Sequence, residues 1–181
     1  VGEVERLFSQ LDDPPRFVGG HPMAGSERRG IEAARADLFE GARCILTPSA
    51  LSDDRSVERV RWMWEFVGCE VHLMSPERHD RLIAAASHLP HLSASALAET
   101  VGGVPEALRF AATGFKDSTR VAMGPPDMWA GILMSNADMI VPLIDELISS
   151  LSEYRELLSR GDPEGVRAKL ERARRARESV G

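Results

Sequence analysis

The pattern of short strands and helices changes at Ser75, and this change limits the possible folds more than any other feature of the chain. Before it, apolar runs bounded by glycine or proline predict three strands, at 16–22, 42–49 and 69–75. After it, no further β-branched alternating run occurs. The sequence therefore predicts an α+β fold that is mainly α, with a small α/β layer over 1–75 and an all-helical part over 76–181.

Helical spacing and helix-boundary residues predict seven helices, at 1–11, 27–41, 56–68, 75–103, 104–115, 124–161 and 163–178. The segment 124–161 is apolar on more than one side, so we expect it to be buried against partners on both sides and to offer a subunit interface. Pro90 and Pro142 fall inside helical patterns, where each removes a backbone hydrogen bond and predicts a kink.

Charge and composition exclude several classes of partner. The 181 residues carry a net charge of -6, which argues against nucleic acid and anionic membranes as main partners. The basic residues at 167–178 alternate with acidic ones, as on a solvated helix face. No apolar run approaches the ~20 residues of a membrane span, and no signal segment is found. Cys44 and Cys69 lie in apolar surroundings without a nearby second thiol, so we expect buried, reduced thiols in a cytoplasmic protein.

The first stretch with unusual side chains is GGHPMAGSE, at 19–27. His21 follows two glycines at the end of a predicted strand, which is a common position for functional groups in an α/β layer. The alternative is a turn histidine that only forms hydrogen bonds with the backbone. The residues alone leave both possibilities open.

The second stretch, HDRLIAAASHLPH, places three histidines on one predicted helix. His88 and His91 are three residues apart and share a face, whereas His79 lies nine residues before His88 and is expected to point roughly away. His88 and His91 could bind zinc, but no cysteine or carboxylate lies at ligand spacing beside them, so we expect no metal site. They could instead line a pocket together with Ser87, or be core histidines with satisfied hydrogen bonds.

The third stretch is GFKDSTR, in which Arg120 follows Lys116 by four residues. A guanidinium can bind a carboxylate through two parallel hydrogen bonds, which a lysine cannot do. The alternative is a surface ion pair between Arg120 and Asp117, which would contribute little to stability. Imidazoles and a cation together, in a protein of negative net charge, favour a small anionic substrate.

Together these three stretches resemble the prephenate and arogenate dehydrogenases of tyrosine biosynthesis. The family pattern GxHPMAG[ST]E, then HDxxxAxxSHLPH, then GFKDxTR followed by a tryptophan, is matched at 20–27, at 79–91 and at 114–120 with Trp129. Three motifs in the same order are far more specific than any one of them.

The resemblance implies an oxidative decarboxylation in which NAD(P)+ takes a hydride, the ring carboxylate leaves as carbon dioxide and the ring becomes aromatic. It places the catalytic histidine, which accepts the proton of the ring hydroxyl, at His21, and the carboxylate-binding arginine at Arg120. An imidazole suits this task because its ordinary pKa of about 6.5 leaves it neutral and basic at physiological pH. The other family positions near the substrate fall on Glu27, Ser87, His88, His91, Trp129 and, by motif alone, Lys116.

The resemblance also implies the last part of a Rossmann-type layer, followed by a helical domain that forms a homodimer. No GxGxxG turn for the cofactor pyrophosphate occurs in the sequence, so we expect the chain alone to bind NAD or NADP weakly and to be inactive. Gly20 and Pro22 are candidate cofactor contacts. The alternatives to prephenate dehydrogenase are arogenate or amino-deoxyprephenate dehydrogenase, or a dimeric prephenate-binding module without catalysis.

Overall fold

The computed structural model of the chain describes residues 1–24, 31 and 34–180. In chain order its helices and strands are α1 (Gly2–Phe8), β1 (Gly19–Pro22), β2 (Arg43–Thr47), α2 (Asp54–Phe66), β3 (Glu70–Leu73), α3 (Pro76–Ile83), α4 (Leu89–Gly102), α5 (Thr113–Thr119), α6 (Pro126–Ser135), α7 (Ala137–Ser159) and α8 (Pro163–Glu178). Contacts divide the chain into two compact units, Val1–Ala137 and Asp138–Gly181. The predicted α+β, mainly α fold is confirmed, while the boundary at residue 75 stays a prediction about domains.

The sheet of the first unit is mixed and has the order β1-β2-β3. β1 runs antiparallel to β2, with His21 opposite Ile45, and β2 runs parallel to β3, with Ile45 opposite His72. Pro22 is tolerated because β1 is an edge strand, where a missing N–H costs no ladder bond. The central strand β2 is buried from Cys44 to Thr47 and explains the apolar run in the sequence.

The core of this sheet contains both thiols. Cys44, Leu46 and Cys69 are buried together, and α2 covers them with Val60 and Trp64. Both cysteines are buried, as the sequence predicted, and they form no disulfide with each other in the structure. Burial, with a smaller contribution from neighbouring Cys69, raises the pKa of the Cys44 thiol to about 11, so this side chain stays protonated and packs as an apolar group.

The predicted helix that begins at Ser75 is present but is not uniform. Ser75 caps it by accepting a hydrogen bond from the N–H of Arg78. Between α3 and α4 the residues Ala84–His88 form a π-helical turn, in which the N–H of Leu89 donates to the carbonyl of Ala84, five residues back. Pro90, which has no N–H to donate, follows this wider turn immediately.

Three of the predicted helices are wrong in part. Residues 36–41 of the segment 27–41 form a turn that ends at Gly41, where φ is 68°. Within the expected helix at 104–115, only a 3-10 turn, Ala107–Phe110, precedes the start of α5. The long helix expected at 124–161 is interrupted at Asn136, whose φ of -130° lies outside the helical region.

The second unit contains most of α7 and all of α8. Lys169 of α8 is buried and its ammonium donates to Glu153 at 2.6 Å, while the ring of Tyr154 lies 4.8 Å away. The predicted solvated face of α8 is confirmed by exposed ion pairs such as Arg174–Glu171. Within the single chain only Ile140 of α7 is buried among the described residues, so the expected burial of this apolar helix against partners on both sides stays a prediction.

In the described part of the chain no helix is both long enough and apolar enough to cross a bilayer.

Candidate functional site

His21 lies on the edge strand β1, two residues after Gly19, a glycine that the packing of this strand requires. A Cβ on Gly19 would collide with the hydroxyl of Thr47 and with the side chain of Val1, so only glycine lets β1 approach β2 this closely. The His21 side chain is half-buried, and its Nδ1 lies 2.9 Å from Nε2 of His79. Among the described residues, its Nε2 has no hydrogen-bond partner and is available to a ligand.

His79 connects His21 to a carboxylate. Its Nδ1 lies 2.7 Å from Oδ1 of Asp80, and its ring is only 4% exposed. The backbone N–H of Gly2 donates to the other oxygen of Asp80 at 2.8 Å. The carboxylate therefore has hydrogen-bond donors on both oxygens and faces the protein interior.

The prediction that His79 points away from His88 is wrong. A regular α-helix would put residues nine apart on opposite sides, but the π-helical turn Ala84–His88 advances by a smaller angle per residue. His88 consequently turns toward the side of His79, and a charge on either His79 or His88 acts on His21 and lowers its pKa. Sequence reasoning missed His79 because it assumed regular helical spacing.

Asn136 holds His88 in place from the interruption between α6 and α7. Its Nδ2 donates to the backbone carbonyl of Asp80 at 2.9 Å and lies 3.3 Å from Nδ1 of His88. An amide nitrogen can only donate, so Nδ1 of His88 accepts and the neutral ring carries its proton on Nε2. The residue that interrupts the predicted long helix thus contributes to the site, and no signal in the sequence pointed to it.

His91 and Trp129 form an aromatic stack next to His88. Their ring centroids are 3.6 Å apart with an angle of 11° between the planes, and the Trp129 indole meets His88 edge-on at 6.3 Å. His91 is buried, and its Nδ1 has no hydrogen-bond partner among the described residues. A buried nitrogen without a partner is costly, so a polar group of a ligand would be favoured there.

Arg120 follows α5 and begins a 3-10 turn that packs on α4. The backbone of the next residue, Val121, acts on the ring of His91, which places the Arg120 segment beside the stack. Arg120 and Lys116 are both exposed, and no ion pair joins Arg120 to Asp117 in the structure. The alternative role of Arg120 as a partner of Asp117 is therefore not observed, and the guanidinium can bind an anion.

Burial keeps the imidazoles of the site neutral. It lowers the pKa of His21, and a positive charge on His79, when that ring is protonated, would lower it further. Burial also lowers the pKa of His88, against the opposing effect of Asp80, and that of His91, against the backbone of Val121. At neutral pH these rings are uncharged, so His21 can accept a proton.

The predicted site residues differ in how closely the structure brings them together. Contacts connect His21, His88, His91 and Trp129, and they add His79, Asp80 and Asn136, to which the sequence analysis gave no role. Ser87 is half-buried on the π-helical turn, Gly20 is exposed on β1 and Pro22 is half-buried there. The structure gives neither Ser87 nor Lys116 a side-chain hydrogen bond within the described residues, and Glu27 lies outside those residues.

The described residues contain no group of three or more histidine, cysteine, aspartate or glutamate side chains placed to bind a metal ion.

The polar groups of the site are suited to an organic ligand. A basic nitrogen on His21, a nitrogen on His91 without a partner among the described residues and the exposed cation of Arg120 match an anionic organic molecule with a hydroxyl group.

Two family comparisons match the chain. Residues 3–73 match the nucleotide-binding domain of prephenate dehydrogenase, and residues 75–172 match its dimerization domain. A prephenate dehydrogenase of Bacillus subtilis is 39% identical over 155 residues, which are 83% of this chain and 42% of the relative. The chain spans about half the length of the curated relatives it matches.

Solved structures give the same assignment. The prephenate dehydrogenase of A. aeolicus, in complex with hydroxyphenyl propionate and NAD+, superposes with a TM-score of 0.83 at 38% identity over 92% of this chain and 59% of that one. The Synechocystis arogenate dehydrogenase has a TM-score of 0.82 at 27% identity over 92% of this chain and 62% of that one. The chain therefore belongs to the prephenate dehydrogenase family.

Proposed function

We propose that this chain carries the substrate-binding half of an NAD(P)-dependent prephenate dehydrogenase, which converts prephenate to 4-hydroxyphenylpyruvate. The observation that supports this most strongly is the state of His21. Its Nδ1 is held by His79 at 2.9 Å, its pKa is lowered by burial, and its Nε2 is free of partners among the described residues. A neutral imidazole with one fixed nitrogen and one open nitrogen is suited to general base catalysis.

In the proposed reaction, Nε2 of His21 accepts the proton of the ring hydroxyl. Removing that proton places electron density on the hydroxyl oxygen and so favours loss of the hydride from the same carbon. The bond between the ring and its carboxylate breaks as well, so that carbon dioxide leaves and the electron pair of that bond makes the ring aromatic. Arg120 binds a carboxylate of the substrate, since it is exposed and has no competing ion pair with Asp117. The stack of His91 and Trp129 flanks the substrate, and Nδ1 of His91 gains the polar partner that it otherwise lacks.

NAD or NADP, when bound, would supply the hydride acceptor. Gly20 and Pro22 flank His21 on β1 and are the residues of this chain that we propose to contact the nicotinamide. We further propose that Ser87, His88 and Lys116 contribute to the pocket wall. Glu27 is proposed to join an ionic network at its mouth.

Arogenate is the second candidate substrate, and the Synechocystis arogenate dehydrogenase among the structural relatives supports it. The two substrates differ in the side chain, which carries an amino group in arogenate and a keto group in prephenate. We propose prephenate because His91, placed near that side chain by the family resemblance, is a neutral hydrogen-bonding ring without a carboxylate partner for an ammonium group.

The test is a steady-state assay of the complete enzyme with prephenate and with arogenate, each with NAD+ and NADP+. The formation of reduced cofactor, together with chromatography of the aromatic product, identifies the reaction. We expect the highest kcat/KM with prephenate. Turnover with arogenate alone would support the second candidate, and no turnover with either substrate, although NAD+ binds, would contradict the assignment as an enzyme.

We also propose that the chain forms a homodimer in the cytoplasm. The match of 75–172 to a dimerization domain and the exposed apolar side chains of α7, among them Ile148 at 55% and Leu151 at 58% exposure, support a dimer. Light scattering after size exclusion should give the dimer mass, and Leu151→Glu should lower it toward that of the monomer. Ser159→Glu, at the end of the same helix, is the matched control.

A further inference from the structure

His79 is the most buried of the five histidines, yet the proposed reaction gives it no task. It is 4% exposed, against 7% for His88 and 6% for His91. Each of its ring nitrogens has one polar partner: Nε2 meets Nδ1 of His21 at 2.9 Å, and Nδ1 meets Oδ1 of Asp80 at 2.7 Å. The three side chains therefore form one continuous line of hydrogen bonds that ends at His21.

The donor and the acceptor of each hydrogen bond in this line follow from the ionisation of Asp80, the carboxylate at its end. Burial alone would raise the pKa of Asp80, but hydrogen bonds from His79 and from the N–H of Gly2 hold the pKa below its ordinary value. Asp80 is therefore an ionised carboxylate at neutral pH and can only accept hydrogen bonds. It follows that Nδ1 of His79 carries the proton and donates to Asp80.

The position of the proton on the His21 ring follows from the position of the proton on the His79 ring. For a neutral His79 ring, which has a single N–H, Nε2 is the acceptor because Nδ1 carries the proton. The partner nitrogen, Nδ1 of His21, must then be the donor, since two acceptors 2.9 Å apart would repel each other. This assigns the neutral His21 ring a proton on Nδ1 and a free electron pair on Nε2, the nitrogen without a partner among the described residues.

We propose that His79, oriented by Asp80, is a positioning residue that fixes His21 as the Nδ1–H tautomer and stabilises its charged form during the reaction. When the O–H bond of the substrate breaks, the proton forms a bond to Nε2 of His21 and the ring becomes an imidazolium. Its Nδ1–H keeps donating to His79, whose other side faces the negative charge of Asp80. This inference rests on the proposed function only in taking His21 as the base, since the tautomer is a property of the chain itself.

The first test is nitrogen NMR of the chain, labelled with ¹⁵N histidine, at a pH where His21 is neutral. We expect Nδ1 of His21 to be protonated and Nε2 to be unprotonated. His79→Phe keeps a buried ring but removes the acceptor, so His21 should shift to a mixture that includes the Nε2–H form. His79→Gln keeps an acceptor oxygen and should restore most of the Nδ1–H form.

His72→Phe is the matched control. His72 lies two strands away from His21, its side chain is 41% exposed, and it pairs with Glu70 rather than with the site. We expect this variant to leave the His21 tautomer unchanged. Asp80→Asn serves as an independent second variant if His79→Phe fails to fold, and it should also give a tautomer mixture. An Nε2–H tautomer in the unmodified chain, or an unchanged tautomer in folded His79→Phe, would overturn the proposal.

The second test is kinetic and uses the complete enzyme. General base catalysis contributes about 10²- to 10⁴-fold to a rate, so loss of the correct tautomer and of charge stabilisation should lower kcat at least about 10-fold in His79→Phe. KM for the substrate should stay close to that of the unmodified enzyme, because His79 does not contact it. His79→Gln should lie between the two.

The two proposals can fail separately. If His21→Asn leaves kcat unchanged, His21 is not the base and the proposed function fails, whatever the tautomer. If His21→Asn lowers kcat strongly while His79→Phe has the kcat and the tautomer of the unmodified enzyme, only the role of His79 is contradicted.

Discussion

Gly124 offers a sensitive way to perturb the stack of His91 and Trp129, because the space for its missing side chain is already occupied. A Cβ at this position would lie 2.7 Å from Cδ1 of Trp129, still closer to the indole nitrogen, and 3.3 Å from Cε1 of His91. The backbone of Gly124, with φ of -61° and ψ of 152°, is one that alanine adopts freely. A loss of stability in Gly124→Ala therefore comes from the steric contact and not from backbone strain.

The size of the effect can be worked out from these distances. The indole must recede by at least about 0.7 Å for its Cδ1 to reach the 3.4 Å at which ordinary contact begins, and its nitrogen, which is nearer, must move further. Overpacking of this kind costs about 1–3 kcal/mol. In a chain of this length each kcal/mol lowers Tm by about 2–4 °C, so Gly124→Ala should lower Tm by roughly 2–12 °C. Because a misplacement of about 1 Å in a site can cost 10²-fold in rate, kcat/KM of the complete enzyme should also fall.

The assay is thermal unfolding followed by circular dichroism, with Gly131→Ala as the control. Gly131 lies on the same helix as Trp129, and a Cβ there meets nothing within 4 Å. Replacing a helical glycine by alanine gains about 0.5–1 kcal/mol, so the control should raise Tm while Gly124→Ala lowers it. A Tm for Gly124→Ala equal to or above that of the unmodified chain would refute the steric account of the stack.

Three further predictions concern stability. Because burial lowers the pKa of His88, the unfolded chain binds more protons than the folded chain below a pH of about 6.5, so Tm should be constant above that pH and fall below it. Thermal melts of His88→Gln should show a smaller fall of Tm with pH. An equal dependence of Tm on pH in the variant and the unmodified chain would contradict this. Gly68 has a φ of 94°, and an added Cβ would lie 3.0 Å from the Cα of Glu40, so Gly68→Ala should lower the free energy of unfolding in denaturant by about 1–3 kcal/mol. Gly102→Ala, whose added Cβ would have no atom within 4 Å, should not lower it. Cys44 should react with a thiol reagent only at the rate of unfolding, and fast labelling of the native chain would contradict its burial.

Much of the fold could be predicted from local signals in the sequence. The apolar run of β2 is buried on both faces, and this burial is why it contains no polar alternation. The helix start at Ser75 has a serine cap and a proline in the first turn, both of which act locally. The interruption at Asn136 had no such signal, because it depends on hydrogen bonds to Asp80 and His88, residues about 50 positions away in the chain.

The site could be predicted only as far as regular geometry holds. His88 and His91 share a face as expected, because α4 continues regularly after the π-helical turn. His79 was placed on the wrong side, because helical spacing cannot show an irregular turn between two histidines. The pairing of His79 with Asp80, its neighbour in sequence, could not be foreseen either, since it depends on the burial of both side chains against β1 and α1.

We propose His21 as the base and Arg120 as the anion-binding cation of one site. The most direct measurement is the steady-state kinetics of the complete enzyme with prephenate for His21→Asn and Arg120→Ala. We expect a fall of about 10²- to 10⁴-fold in kcat with little change in KM for His21→Asn, and mainly a rise in KM for Arg120→Ala. A His21→Asn enzyme with unchanged kcat, or the reverse pattern in the two variants, would contradict it.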